Sequence, residues 1–187
     1  MASILSVEQL QGLAAGSTPN TITIPSGQTL HSNTVIRAPN QVLQMTRLSN
    51  AGNHNNGSPG TWADTTYTCS ITPQYANSLI EINFSIPFRL NGTSTYLRGG
   101  FRCNRTIDGA NTNTVINAVS NVEQHQVRNA TNEYDDVYSG FHIDAPNTTG
   151  VVNYMFQSYI HTDSGANYIY CFDMNVGGHI ILREIAQ

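Results

Sequence analysis

The sequence predicts an all-β protein, an antiparallel two-sheet sandwich of jelly-roll type preceded by a short N-terminal helix and an extended stem segment. Three observations predict it. Residues 79–90, LIEINFSIPFRL, place Ile80, Ile82, Phe84, Ile86, Phe88 and Leu90 on every second position. On a strand that spacing makes one apolar wall and one polar face. Residues 151–161 repeat the pattern, with Val152, Tyr154, Phe156 and Ile160 on one side and Asn153, Gln157 and His161 on the other. Met155 and Tyr159 share that second side, so it is not fully solvated. The third observation is composition. Charged residues make up 11% of the 187, while Asn, Thr, Ser and Gly abound, which suits short strands and many turns.

The elements follow in order. Ser6-Val7-Glu8-Gln9 reads as a capping box, and Val7, Leu10, Leu13 and Ala14 continue at roughly helical spacing up to Gly16. Residues 1–15 are therefore an expected helix, too short to hold alone in water, so it must dock on something. Residues 16–40 carry few apolar side chains, with Ile22, Ile24 and Val35 set between Pro25-Ser26-Gly27 and Ala38-Pro39-Asn40. This segment is either a flexible linker or a stem in which several copies share one thin core. The head spans 41–187, with strands expected at 41–48, 67–71, 80–90, 96–104, 114–118, 137–143, 151–161, 168–172 and 179–185. Polar loops are expected at 50–60, 105–113 and 129–136. Pro87 cannot donate to a sheet ladder, so it requires an edge position, a bulge or a partner strand that ends early.

Composition also excludes. The net charge is −4 and all eight basic residues are arginine, the wrong balance for a phosphate-backbone binder. No run of 18 apolar residues exists for a membrane helix, and the first residues do not read as a secretory signal. Cys69, Cys103 and Cys171 are odd in number, widely spaced and without a C-x-x-C pair. They suit neither a zinc site nor a disulfide framework, and read as buried small hydrophobes.

For chemistry, two H-x-D pairs, His142/Asp144 and His161/Asp163, each put two candidate ligands on one strand face. No third ligand accompanies either, so no metal site is expected. The stretch 108–113 lacks the spaced acids of a calcium loop. No G-x-S-x-G elbow or other activated nucleophile appears, and no enzymatic activity and no cofactor are expected. The most suggestive row is Tyr96, Arg98 and Arg102 on one strand face. Arginine offers a fork of donors and tyrosine a flat face with a polar tip, so the row could grip an anionic sugar or cement a neighbouring subunit. Trp62, Tyr134 and Tyr138 border the long loops and could stack on sugars or serve the core.

Several short stretches, taken in order, resemble a family of marine-phage (cyanophage-like) virion structural or tail-fibre-like proteins. They are MASILSVEQL at the start, TIPSGQTL at 23–30, APNQVLQ at 38–44, SITP at 70–73, SLIEI at 78–82 and HIILREIA at 179–186. The resemblance implies a homotrimer with an N-terminal attachment segment and a C-terminal β-sandwich head, found on the virion. The expected partners are then sister copies, other virion proteins through residues 1–40 and a host-surface glycan. A capsid decoration or fibre-attachment protein, and a stand-alone lectin-like domain, remain as alternatives. The resemblance carries no catalytic residues.

Overall fold

The computed structural model describes residues 38–48, 52–93, 96–116, 125–128, 133–161, 166–172 and 178–187. The side chains of 96, 111–112, 125–128 and 166–167 are also left aside. The chain divides into two units, Met1–Ile36 and Arg37–Gln187, and every described residue belongs to the second. The expected helix over 1–15 and the stem up to residue 37 lie outside the described residues.

Eleven strands are described: β1 (Val42–Arg47), β2 (His54–Asn56), β3 (Trp62–Ile71), β4 (Leu79–Gly92), β5 (Tyr96–Ile107), β6 (Ala110–Ile116), β7 (His125–Arg128), β8 (Glu133–Asp144), β9 (Val152–Ile160), β10 (Ala166–Cys171) and β11 (His179–Ile185). They form two sheets, and every pairing is antiparallel. In the first sheet β1, β11, β4 and β8 lie side by side, with β10 and β2 continuing beyond the end of β11; in the second the order is β3-β9-β5-β6, with β7 also on β5. Counting β1, β3, β4, β5, β6, β8, β9 and β11 in chain order, the sheets read 1-8-3-6 and 2-7-4-5. That is the double Greek key of a jelly roll.

The opening pattern becomes the wall of the core. Ile80, Ile82, Phe84, Ile86, Phe88 and Leu90 are all buried, each contributing about 1.5–3 kcal/mol by leaving water. They face Phe101 and Cys103 of β5 and Tyr154, Phe156 and Ile160 of β9 across the sandwich. Phe84 meets Phe156 at 4.8 Å between ring centroids. Its ring lies over Gly140 of β8, where an added Cβ would come within 3.2 Å. The three cysteines are free and buried, and burial pushes each thiol pKa up.

Pro87 sits in the middle of β4, where its partner strand changes. β11 pairs with β4 as far as Ser85, β10 takes over at Phe88, and the Phe172 amide donates to the Pro87 carbonyl at 3.0 Å. The N and O of one strand residue point to the same edge. The missing N–H of Pro87 therefore faces the gap between β11 and β10, where it forfeits nothing. A partner that ends early was one of the three expected solutions, and it is the one observed.

The loops differ from expectation in three places. Residues 54–56 of the expected 50–60 loop form β2, held by Asn56, whose side chain donates to the carbonyls of Ser158 and Thr61. The expected loop at 105–113 is a tight hairpin: β5 runs to Ile107 and β6 starts at Ala110. Its two turn residues, Asp108 (φ 48°) and Gly109 (φ 76°), are both left-handed, which is the type I′ geometry that Asp-Gly favours. The expected loop at 129–136 ends early because β8 begins at Glu133, pairing with Asn91. β3 also starts five residues ahead of the expected strand, at Trp62.

Two buried polar knots tie the sandwich. Glu184, on the inner side of β11, is fully buried. It accepts the backbone amides of Gln74 (2.8 Å) and Tyr75 (3.2 Å) and the side-chain amide of Gln44 (2.7 Å). Burial raises its pKa, but the hydrogen bonds from Gln74, Gln44 and Tyr75 outweigh burial and bring it below the ordinary 4.5. Between the sheets, Asp144 of β8 accepts from Arg105 (2.8 Å) and from the Tyr154 hydroxyl (2.7 Å), with both charged side chains little exposed.

Two stability predictions follow from these knots. Glu184→Gln turns an acceptor of two backbone amides into a mixed group and should cost about 3 kcal/mol in urea unfolding. Because the folded-state pKa is depressed, the wild-type carboxylate contributes its stability above about 4.5. That contribution is lost as the pH falls through the lower folded value, and the variant should lack this part of the acid sensitivity. Arg105→Leu alone should cost about 3–5 kcal/mol by stranding Asp144, and adding Asp144→Leu should recover part of it.

Candidate functional site

The outer face of the second sheet gathers a flat, polar-rimmed platform. Register alone brings its members together: Trp62 pairs with Tyr159, Asp64 with Gln157, and Gln157 with Arg102 on the far side of β9. Paired residues of an antiparallel ladder point to the same face, so β3, β9 and β5 each contribute to one surface. The Trp62 and Tyr159 rings meet at 5.0 Å with planes 38° apart. The guanidinium carbon of Arg102 lies 4.3 Å from the Trp62 ring centroid, within cation–π range.

A row of amides fixes this arrangement. Arg102 Nε donates to Gln157 Oε1 (2.6 Å), and Asn104 Nδ2 donates to the same oxygen (2.9 Å). Gln157 Nε2 donates to Asp64 Oδ1, and Thr114 Oγ1 donates to Asn104 Oδ1 (2.9 Å). Burial lowers the Arg102 pKa, and the negative charge of Asp64 opposes it; a guanidinium stays protonated in either case. Only Nε of Arg102 is spent on a hydrogen bond among the described residues, so its two terminal nitrogens present a planar donor fork beside the Trp62 ring. His161 adds an edge 6.3 Å from the Tyr159 ring.

The other sequence-predicted residues fall elsewhere. Arg98 points to the same side of β5 as Arg102 but is covered, only 4% exposed, so it adds no open donor to the platform. Tyr96 pairs with Arg128 through the backbone, and its side chain is outside the described set. Tyr134 and Tyr138 sit on the inner side of β8, in the first sheet, away from Trp62. Tyr138 stacks on Phe101 at 5.2 Å with planes 10° apart and also meets Phe84 at 5.0 Å. Tyr134 packs edge-on to Phe88 and donates to Asp136 (2.6 Å), which with burial pushes its phenol up to about 12. The six residues therefore form no single surface. Trp62 and Arg102 come together, and Tyr159 completes them.

Of the H-x-D pairs, His142 and Asp144 point inward from β8, and Asp144 is committed to Arg105 and Tyr154. Asp163 lies outside the described residues. Among the described residues no group of three His, Cys, Asp or Glu side chains could hold a metal ion. On the first sheet, a depression of about 390 Å³ is lined by Pro87, Phe88, Asp135, Asp136, Val137 and Phe172. Arg89 donates to Asp135 of that lining (2.6 and 2.8 Å) and pairs with Glu133 (3.0 Å). The Arg89 hydrogen bond depresses the Asp135 pKa. Those charges satisfy one another and leave few polar groups free for a ligand.

No protein-family model matches this sequence. No curated protein matches it. Among solved structures, it is similar to the infectious bursal disease virus Gx strain structure, with a TM-score of 0.46 at 10% identity. It is also similar to the Gt strain structure of that virus, with a TM-score of 0.45 at 9% identity. Each alignment covers 87% of this chain and 38% of the other. The crystal structure of the VP2 subviral particle of the same virus gives a TM-score of 0.45 at 10% identity, over 76% of this chain and 33% of that one. The chain thus spans well under half the length of the chains it is similar to.

Proposed function

We propose that this chain is a structural, adhesive component of a virus particle. In this reading it is the head of a homotrimeric phage tail fibre or spike, joined to other virion proteins through residues 1–40 and meeting a host-surface glycan with its second sheet. The role is non-catalytic. The ordered sequence resemblance to virion tail-fibre-like proteins supports the particle role, and the jelly-roll sandwich is compatible with it. The observation that carries the adhesive role is the contact of Trp62, Tyr159 and Arg102 on one paired-strand surface. A sugar ring offers an apolar C–H face to stack on aromatic rings and hydroxyls to meet amides and guanidinium donors. Three heads on one fibre would turn weak single contacts into firm attachment, because linked sites bind at high effective concentration.

A second reading, a decoration or fibre-attachment protein that joins particle components, is favoured by one observation. Phe141 and Ile143 on β8 are exposed to 72% and 52%, as residues that meet another surface would be.

The adhesive reading is tested by measuring full-length protein on immobilised neutral and carboxylated oligosaccharides. Trp62→Ala and Arg102→Lys should each weaken binding at least about tenfold, since lysine keeps the charge but loses the planar fork. Tyr138→Phe should leave binding unchanged. Absence of binding to any sugar, or full binding by the Trp62 variant, would refute it. Antibody labelling of purified virions locates the protein: label at the tail tip agrees with the fibre reading, and label over the shell selects the second.

A further inference from the structure

We infer that the outer face of the first sheet is the seat of a second copy of this chain. The inference deepens the homotrimer reading above by naming the face through which copies meet, and it rests on that reading only in requiring self-association.

The face is built by register. β8 runs along β4 for its whole length, β4 along β11, and β11 along β1. Alternate residues of β8 point inward to the core, and the others, including Val137, Phe141 and Ile143, point out. From β1 at the opposite border, Val42 and Met45 point out as well, 47% and 59% exposed. Val42 lies beside Ile185, and Ile185 beside Leu79, so apolar side chains continue from the β1 border into the sheet, as on an interaction surface.

Charge selects the occupant. The outward charges of this sheet, among the described residues, are Arg47, Arg89 and Arg183 against Glu81, Glu133 and Asp135, three positive and three negative. Most are already joined on the face itself, Arg183 with Glu81 and Arg89 with Asp135 and Glu133. The whole chain carries −4, yet this face sums to zero, so a further copy, itself negative, meets no net like charge when it seats there. Size agrees too. The sheet's strands β1, β11, β4, β8, β10 and β2 hold 6, 7, 14, 12, 6 and 3 residues, and at about 3.3 Å of rise and 4.8 Å of spacing they present roughly 760 Å², close to the share of one partner in a standard interface.

The test is solution mass of the full chain by light scattering. Wild type should give a multiple of 20.4 kDa. Phe141→Asp with Ile143→Asp should bring it to the single-chain mass, with near-ultraviolet dichroism and thermal melting retained because neither side chain serves the core. Met45→Asp, at the other border, should act alike, and Trp62→Ala should leave the mass unchanged. A wild-type mass of one chain overturns the inference and leaves the face to another virion protein. Variants that fold and stay assembled also overturn it, and in that case the trimer itself survives. Loss of sugar binding by the Trp62 variant bears only on the adhesive reading.

Discussion

One buried carboxylate holds the ends of this sandwich to its middle. Glu184 lies in the last strand, yet its partners come from the first strand (Gln44) and from the turn between β3 and β4 (Gln74 and Tyr75). Gln44 also donates to the Thr72 carbonyl (2.6 Å), so the turn is gripped from two directions. A buried charge is tolerated only when its lone pairs are filled, and here backbone amides fill them. The knot fixes the start of β4, and β4 in turn is the strand on which β8, β10 and β11 all pair. The knot also joins stretches far apart in the chain. Gln44 ends the stretch 38–44, the turn follows SITP at 70–73, and Glu184 belongs to HIILREIA at 179–186. Three separate motifs meet at one carboxylate.

With the interior closed in this way, the two outer faces are free to differ. The outer face of the second sheet is polar, with hydrogen-bonded amides framing Trp62, Tyr159 and Arg102. That of the first is apolar at its borders and electrically neutral. A jelly roll exposes two broad sheet faces as well as its loop ends, so one copy can bind through one face while assembling through the other. Such a division needs no moving part. It needs only that strand register put aromatic and amide side chains on one surface and apolar ones on the other, and that is what the alternation along β8 and β9 does.

The fold class was legible because period-two alternation is local: β4 displays it without interruption, and β9 displays it with Ser158 alone breaking the apolar side. Pro87 was legible as a constraint, although which of its three solutions applied depended on where β11 and β10 end. Asp108-Gly109 carried a strong hairpin signal that the polar run around it obscured. The first four residues of β8, Glu133 to Asp136, look like a solvated turn in isolation and become strand because Leu90, Arg89 and Phe88 of β4 lie opposite. At the site, Trp62 and Arg102 stood out for their side-chain chemistry. Tyr159 stood out only as an aromatic on the polar side of its strand, and nothing local told that β3 pairs with β9 in the register that sets it beside Trp62. Tyr134 and Tyr138 were ambiguous between surface and core, and the inward phase of β8, set by its pairing with β4, sends them inward.

The separation of an assembling face from a binding face is tested most directly by hydroxyl-radical footprinting of the assembled full-length protein, with and without a carboxylated oligosaccharide. The account predicts that Met45 and Phe141 resist oxidation in both conditions, while Trp62 and Tyr159 oxidise freely until the sugar is added. Oxidation of Phe141 and Met45 at the rate of Trp62 in the assembly, or a sugar that leaves Trp62 unprotected, would contradict it.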